Sequence, residues 1–165
     1  MKYPLIIAFE MSSYEDDAFP IAAAWSLSSG ELKSTLVSPD AEWLEQLYDQ
    51  GALLDVDPES LLHEGHSAKA VLEELQLDLG DQALYCVDPY QTEQALEKLF
   101  DSLDQEHELP LRPVAELLSD HSHETREDCR QECLELLGLN EHQAADQVRL
   151  WLEMYVRLQG QRSSE

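Results

Sequence analysis

The stretch LIIAFEMSS, Leu5–Ser13, sets one carboxylate, Glu10, at the end of an otherwise apolar run. A single acid at the tip of a core strand can ligate a divalent cation, exchange a proton, or accept a hydrogen bond from a loop amide. Cys129 and Cys133 are four apart, which puts them on one helix face with their Sγ atoms within reach of each other. Cysteines in that pattern chiefly pack as small apolar groups. Asp120, His121 and His123 crowd one polar stretch just ahead of them. That spacing matches no zinc pattern, so an exposed loop before a helix is expected. Ser12 and Ser13 lack a visible histidine and acid to activate them, and no serine nucleophile is expected.

The elements that must position Glu10 follow from the apolar pattern. Tyr3–Phe9 reads as a central strand, followed by strands at Phe19–Leu27 and Leu32–Val37 with a turn at Ser28–Glu31. Pro39–Gln50 carries Trp43, Leu44, Leu47 and Tyr48 at helical spacing, and Pro58–His63 reads as a short helix. Ser67 is a cap residue, Ala68, Val71, Leu72, Leu75 and Leu79 form one stripe, and Gly80 is a stop. Ala83–Val87 reads as a strand and Thr92–Leu103 as an amphipathic helix. Leu111–Ala115 reads as a strand leading into a helix start, and Glu124–Leu137 as a helix ending at Gly138. Glu141–Leu158 carries the clearest stripe, through Ala144, Val148, Trp151, Leu152 and Tyr155, with Gly160 as its expected end. The order predicts one α/β domain over residues 1–160, with a mixed central sheet of about five strands flanked by helices and a flexible tail at 161–165. Chemistry in such sheets gathers at the carboxyl ends of strands, where Glu10 stands.

Charge narrows the partners. Thirty-five acids against ten scattered bases give a formal net charge of −25. Nucleic-acid backbones are held mainly by lysine and arginine, and a field of this sign repels a polyanion. Such a surface suits solubility, a basic protein partner, or mimicry of nucleic-acid charge. With 43% hydrophobic residues the chain can bury a core. An odd three cysteines argue against a disulfide framework. No apolar run is long enough to span a bilayer and the opening residues lack a signal-peptide pattern, so a cytoplasmic location and no membrane partner are expected.

The segment IIAFEMSSYEDDAFPIAAAWSLSSGELKSTLVSP resembles the opening of DnaQ-like 3′–5′ exonucleases, the DEDD group on a ribonuclease H-like fold. GHSAKAVLEELQLDLGDQALYCVDPYQTEQALEKLF is similar to the middle of one bacterial branch, and EHQAADQVRLWLEMY to its last helix. The resemblance implies four acids that hold two Mg²⁺ or Mn²⁺ ions for phosphodiester hydrolysis, with a histidine as general base. Carried over residue by residue, the first acid of the opening Asp-x-Glu falls on Ala8 and the second on Glu10. The second-motif acid falls on Thr92, with Glu93 adjacent and Asp88 nearby, and the last acid on Asp146. The histidine position holds Glu141, with His142 one place on, and the acid of the second strand is replaced by Ala22. The resemblance therefore implies a degenerate member. Glu10 and Asp146 are its expected metal ligands, assisted by Asp88 or Glu93, and His142 is its expected base. The expected function is that of a catalytically impaired or inactive homologue. The alternatives are a weak metal-dependent exonuclease on short single-stranded DNA or RNA, and an acidic protein-binding module.

Overall fold

A computed structural model describes residues 2–13, 17–50, 58–107 and 109–163. Five strands form one mixed sheet: β1 (Ile6–Met11), β2 (Pro20–Ser26), β3 (Leu32–Leu36), β4 (Leu84–Cys86) and β5 (Leu111–Pro113), in the order β3-β2-β1-β4-β5. β2 and β3 run antiparallel to their neighbours, whereas β4 and β5 run parallel to β1. β1 lies at the centre with helices over both faces, and this is why its sequence is an unbroken apolar run rather than an alternating one.

Alternation along β1 sends its side chains to two different cores. Ile7 and Phe9 join Trp25, Leu75, Leu96 and Leu99 on the side of α3 (Ala68–Leu79) and α4 (Pro89–Asp101). Ile6 and Ala8 join Ala24, Val114, Ala144 and Val148 under α6 (Ala144–Ser163). A third cluster, built on Cys129, Cys133, Leu150 and Met154, fastens α5 (His123–Leu137) to α6. α1 (Ala41–Gln50) is anchored by Trp43, whose ring stacks on Phe19 with centroids 5.2 Å apart. The expected helical contacts of Leu47 and Tyr48 lie outside the described side chains. α2 (Pro58–Glu64) buries Leu61.

Four element boundaries differ from the sequence expectation, the first two for a visible local reason. α4 starts at Pro89 rather than Thr92, because Asp88 caps it and Pro89 brings a ready-made helical φ to its first position. Thr92 is thereby moved inside the helix, on its buried face. α6 starts at Ala144 rather than Glu141, since Asn140–Gln143 close a turn in which the Gln143 N–H donates to the Asn140 carbonyl. Gly160 does not stop α6, which runs on to Ser163 and takes up part of the expected tail. After β5 the chain enters a 3-10 turn, Val114–Leu118, rather than continuing as strand.

Candidate functional site

Glu10 stands one residue before the end of β1, where the pairing with β2 shifts register between Glu10 and Met11. The next residue, Ser12, is buried and accepts from the Phe19 N–H through Oγ at 3.0 Å. Its own N–H donates to the Phe19 carbonyl at 2.8 Å. Ser12 is therefore a clasp across the base of the loop, in keeping with the expectation that it is no nucleophile. The carboxylate of Glu10 turns under α6, where Oε2 accepts from the Ala144 N–H at 3.1 Å. The first amides of a helix have no partner within it, and an anion there is favoured by the helix dipole. An acid from β1 thus caps a helix 134 positions further along the chain.

Beside this joint lies a cleft of about 460 Å³, lined by Glu10, Ser34, Thr35, Glu64, His66 and Gln143 among others. His66 and the glycine before it are the site residues that motif matching missed. Gly65 fits only because it has no side chain: a Cβ there would meet the Leu61 carbonyl oxygen at 2.4 Å and the Ser38 nitrogen at 2.6 Å. This close approach brings His66 alongside β3, where its N–H donates to the Leu36 carbonyl and its carbonyl accepts from the Ser38 N–H. Its Nδ1 lies 2.7 Å from Thr35 Oγ1. The available signal was the Gly-His pair wedged between the end of a short helix and the cap Ser67.

The other expected site residues are employed elsewhere. Asp146 lies on the first turn of α6, two residues from Ala144, and its Oδ2 accepts from the Asn140 N–H at 2.9 Å. Glu10 and Asp146 thus reach the same helix terminus, but each bonds to a different amide. Asp88 accepts from the Gln91 N–H at 3.1 Å as the cap of α4. Glu93 pairs with His107 Nε2 at 3.1 Å, beside a separate acidic hollow that also holds Glu97 and Asp101. His142 is exposed and its N–H donates to Asn140 Oδ1. Glu141, at the position where the resemblance places a histidine, pairs with Arg130 of α5. Among the described residues, no three acids, histidines or cysteines converge in a way that could hold a metal ion.

Two of the three positions that lack the expected acid, Ala8 and Thr92, are closed, whereas Ala22 lines the cleft. Ala8 is 1% exposed and packs with Ala24, Ala144 and Val148. Thr92 is also 1% exposed, and its hydroxyl bonds to the thiol of Cys86. Burial pushes that thiol up from its ordinary value of 9.0 to about 11, an effect that the Thr92 bond partly offsets. Burial likewise raises Cys129, and it pushes Cys133 up to about 11. The two thiols of α5 do meet, as their spacing allowed, but inside an apolar cluster. Around Glu10 the described residues bring no group of three acids, histidines or cysteines into reach of one point, which does not fit a pair of divalent cations.

No family model matches the chain, and no curated protein matches it in sequence. Solved structures do match it in shape. A chain in the structure of the yeast NOT1 MIF4G domain co-crystallised with CAF1 superposes with a TM-score of 0.67 at 12% identity, over 99% of this chain and 81% of that one. The RNase domain of the yeast Pop2 protein gives 0.58 at 14% identity, over 98% and 78%. Exonuclease I from Methylocaldum szegediense gives 0.55 at 10% identity over 98% of this chain, which spans only 42% of that enzyme. The fold is therefore the ribonuclease H-like fold of exonuclease domains, as the sequence resemblance implied.

Proposed function

We propose that this chain is an exonuclease-fold protein in which two-metal hydrolysis has been lost and the framework serves binding. The observation that carries this reading is Ala8. It stands where the resemblance requires the bridging acid, and its methyl group is sealed beneath α6 against Ala144 and Val148. Phosphodiester hydrolysis with two cations needs several carboxylates around them. Glu10, the acid retained, spends one oxygen on the Ala144 N–H, while Thr92 supplies a buried hydroxyl turned to Cys86. The charge of −25 adds to the case, since it opposes the approach of a polyanion.

The test is a calorimetric titration with Mn²⁺ and with Mg²⁺ on the wild type and on Glu10→Ala, alongside incubation with an end-labelled single-stranded oligonucleotide. The expected result is no stoichiometric cation binding and an intact oligonucleotide. Metal-dependent shortening from the 3′ end, abolished by Glu10→Ala, would overturn the reading. It would assign Glu10 and Asp146 to a weak exonuclease acting on single-stranded DNA or RNA.

A further inference from the structure

The outer edge of β3 has the geometry of a docking strip. In the β2–β3 pair, the Val37 N–H donates to the Ile21 carbonyl and the Leu27 N–H to the Glu31 carbonyl. Odd-numbered residues of β3 therefore bond inward to β2, and Leu32, Ser34 and Leu36 point their backbone groups outward. Leu36 shows this directly, since its carbonyl accepts from the His66 N–H. Residue His66 forms a one-residue parallel bridge with Val37, so the edge already takes a strand at one end. Beyond that bridge, toward Leu32, which is 39% exposed, the edge continues with no strand beside it among the described residues.

Two clefts flank this edge on opposite faces of the sheet. The first, of about 460 Å³, lies toward α6 and holds Glu10 and Glu64. The second, of about 450 Å³, lies toward α3 and holds Glu74 and Lys33. Both are bordered by Ser34, Thr35 and His66. Lys33 adds no net positive charge to its cleft, because Glu74 at 2.8 Å and Asp78 at 2.9 Å set two carboxylates against one ammonium. Side chains of an added strand alternate between faces, so neighbouring residues would drop into the two clefts in turn.

We propose that an extended, basic segment of a partner protein pairs with β3 along Leu32–Leu36, in line with His66, and places lysine or arginine side chains toward Glu10 and Glu64 on one face and toward Glu74 and Asp78, which share Lys33, on the other. A second copy of this chain is a poor occupant, since each carries a net charge of −25. The inference stands on edge geometry and charge, and does not depend on whether Glu10 retains any metal chemistry.

The probe is a fluorescein-labelled peptide, TTKKTTKKT, in which adjacent lysines face opposite sides of a strand. Its control has the same sequence and charge with every backbone amide N-methylated. The plain peptide is expected to bind the wild-type chain and to slow amide exchange at Ser34 and Leu36. The methylated peptide should bind about tenfold more weakly or worse, because its backbone donors are gone. Ser34→Pro, which removes an outward N–H without breaking a bond to β2, should weaken the plain peptide to a similar degree, with Ser34→Ala as the control for the lost side chain. Should that variant fail to fold by circular dichroism, the two peptides on the wild type decide alone. Equal binding of both peptides without amide protection would overturn the proposal, leaving only diffuse attraction to an acidic surface. Protection of the same amides by raising protein concentration without peptide, or by an oligonucleotide, would overturn the choice of partner.

Discussion

On one side of β1, Ile7 and Phe9 meet Trp25, Leu75, Leu96 and Leu99; on the other, Ile6 and Ala8 meet Ala24, Ala144 and Val148. The first face is built from large side chains and holds α3 and α4 at a distance set by their bulk. The second sets Ala8, Ala24 and Ala144 among Ile6, Val114, Val148 and Leu152, and there the N-terminus of α6 lies close enough for Glu10 to cap it. A buried face of apolar side chains alone has no donors to offer a cation. An alanine at position 8 and the close seating of α6 over it are one arrangement seen from two sides.

The largest effect should come from the bulky face. Phe9→Ala is expected to cost about 3–5 kcal/mol in chemical denaturation, as aromatic truncations in packed cores do. On the small face the sensitive direction is the opposite one. Ala8→Asp restores the acid that the resemblance expects, and should cost roughly 2–4 kcal/mol at pH 7 by burying a carboxyl under α6. Burial raises that carboxyl's pKa, so the penalty should shrink as pH falls toward 4, where the unfolded chain also holds the proton. Recovery of the variant's melting temperature by Mn²⁺ would show that the face can still open for a metal.

Gly65→Ala tests the edge of the small face and should cost about 1–3 kcal/mol by pressing a methyl group onto the backbone of α2 and β3. It should also release the His66 bridge, visible as faster amide exchange at Ser38. Glu10→Ala should cost only about 1–2 kcal/mol, the value of one part-buried charge-assisted bond. A Mn²⁺-dependent rise in melting temperature that the wild type shows and this variant lacks would sink the capping interpretation. The mildest signature is alkaline. Cys86 and Cys133 keep their protons up to about 11 in the folded chain against 9.0 ordinarily. The unfolded chain therefore loses protons first, and stability should decline as pH rises from 9 to 11. Cys133→Ala should flatten that decline, and all three thiols should react slowly with a disulfide reagent at pH 8.

Wherever a stretch announced itself through apolar periodicity, the sequence was a good guide. β1 to β3, the Ser67-to-Gly80 helix and the stripe of α6 are all of this kind. Boundaries failed where a single polar side chain decided them. Asp88 was read as a candidate ligand but is the cap of α4, and a cap and a ligand are the same residue type at the same kind of chain position. Asp146 and Asn140 form a local loop lock that no periodicity signals. The cleft was only half legible, because Glu10 carried a motif while Gly65 and His66 matter through a backbone approach between β3 and α2. The partner of Glu10, a helix amide, has no side-chain signature in the sequence at all.

The bond between Glu10 and Ala144 also bears on how the chain reaches its native state. It closes a loop of 134 positions, and α6 packs on β1 and β2 across the same span. The hairpins β1–β2 and β2–β3 can form from near neighbours, but the face that holds Ile6, Ala8 and Ala24 lacks the cover of α6 until the segment from Ala144 onward has been synthesised. Contacts so distant in sequence slow the final step of folding. Through that interval the nascent sheet carries an open apolar side, the kind of surface that makes an unfinished chain prone to aggregate.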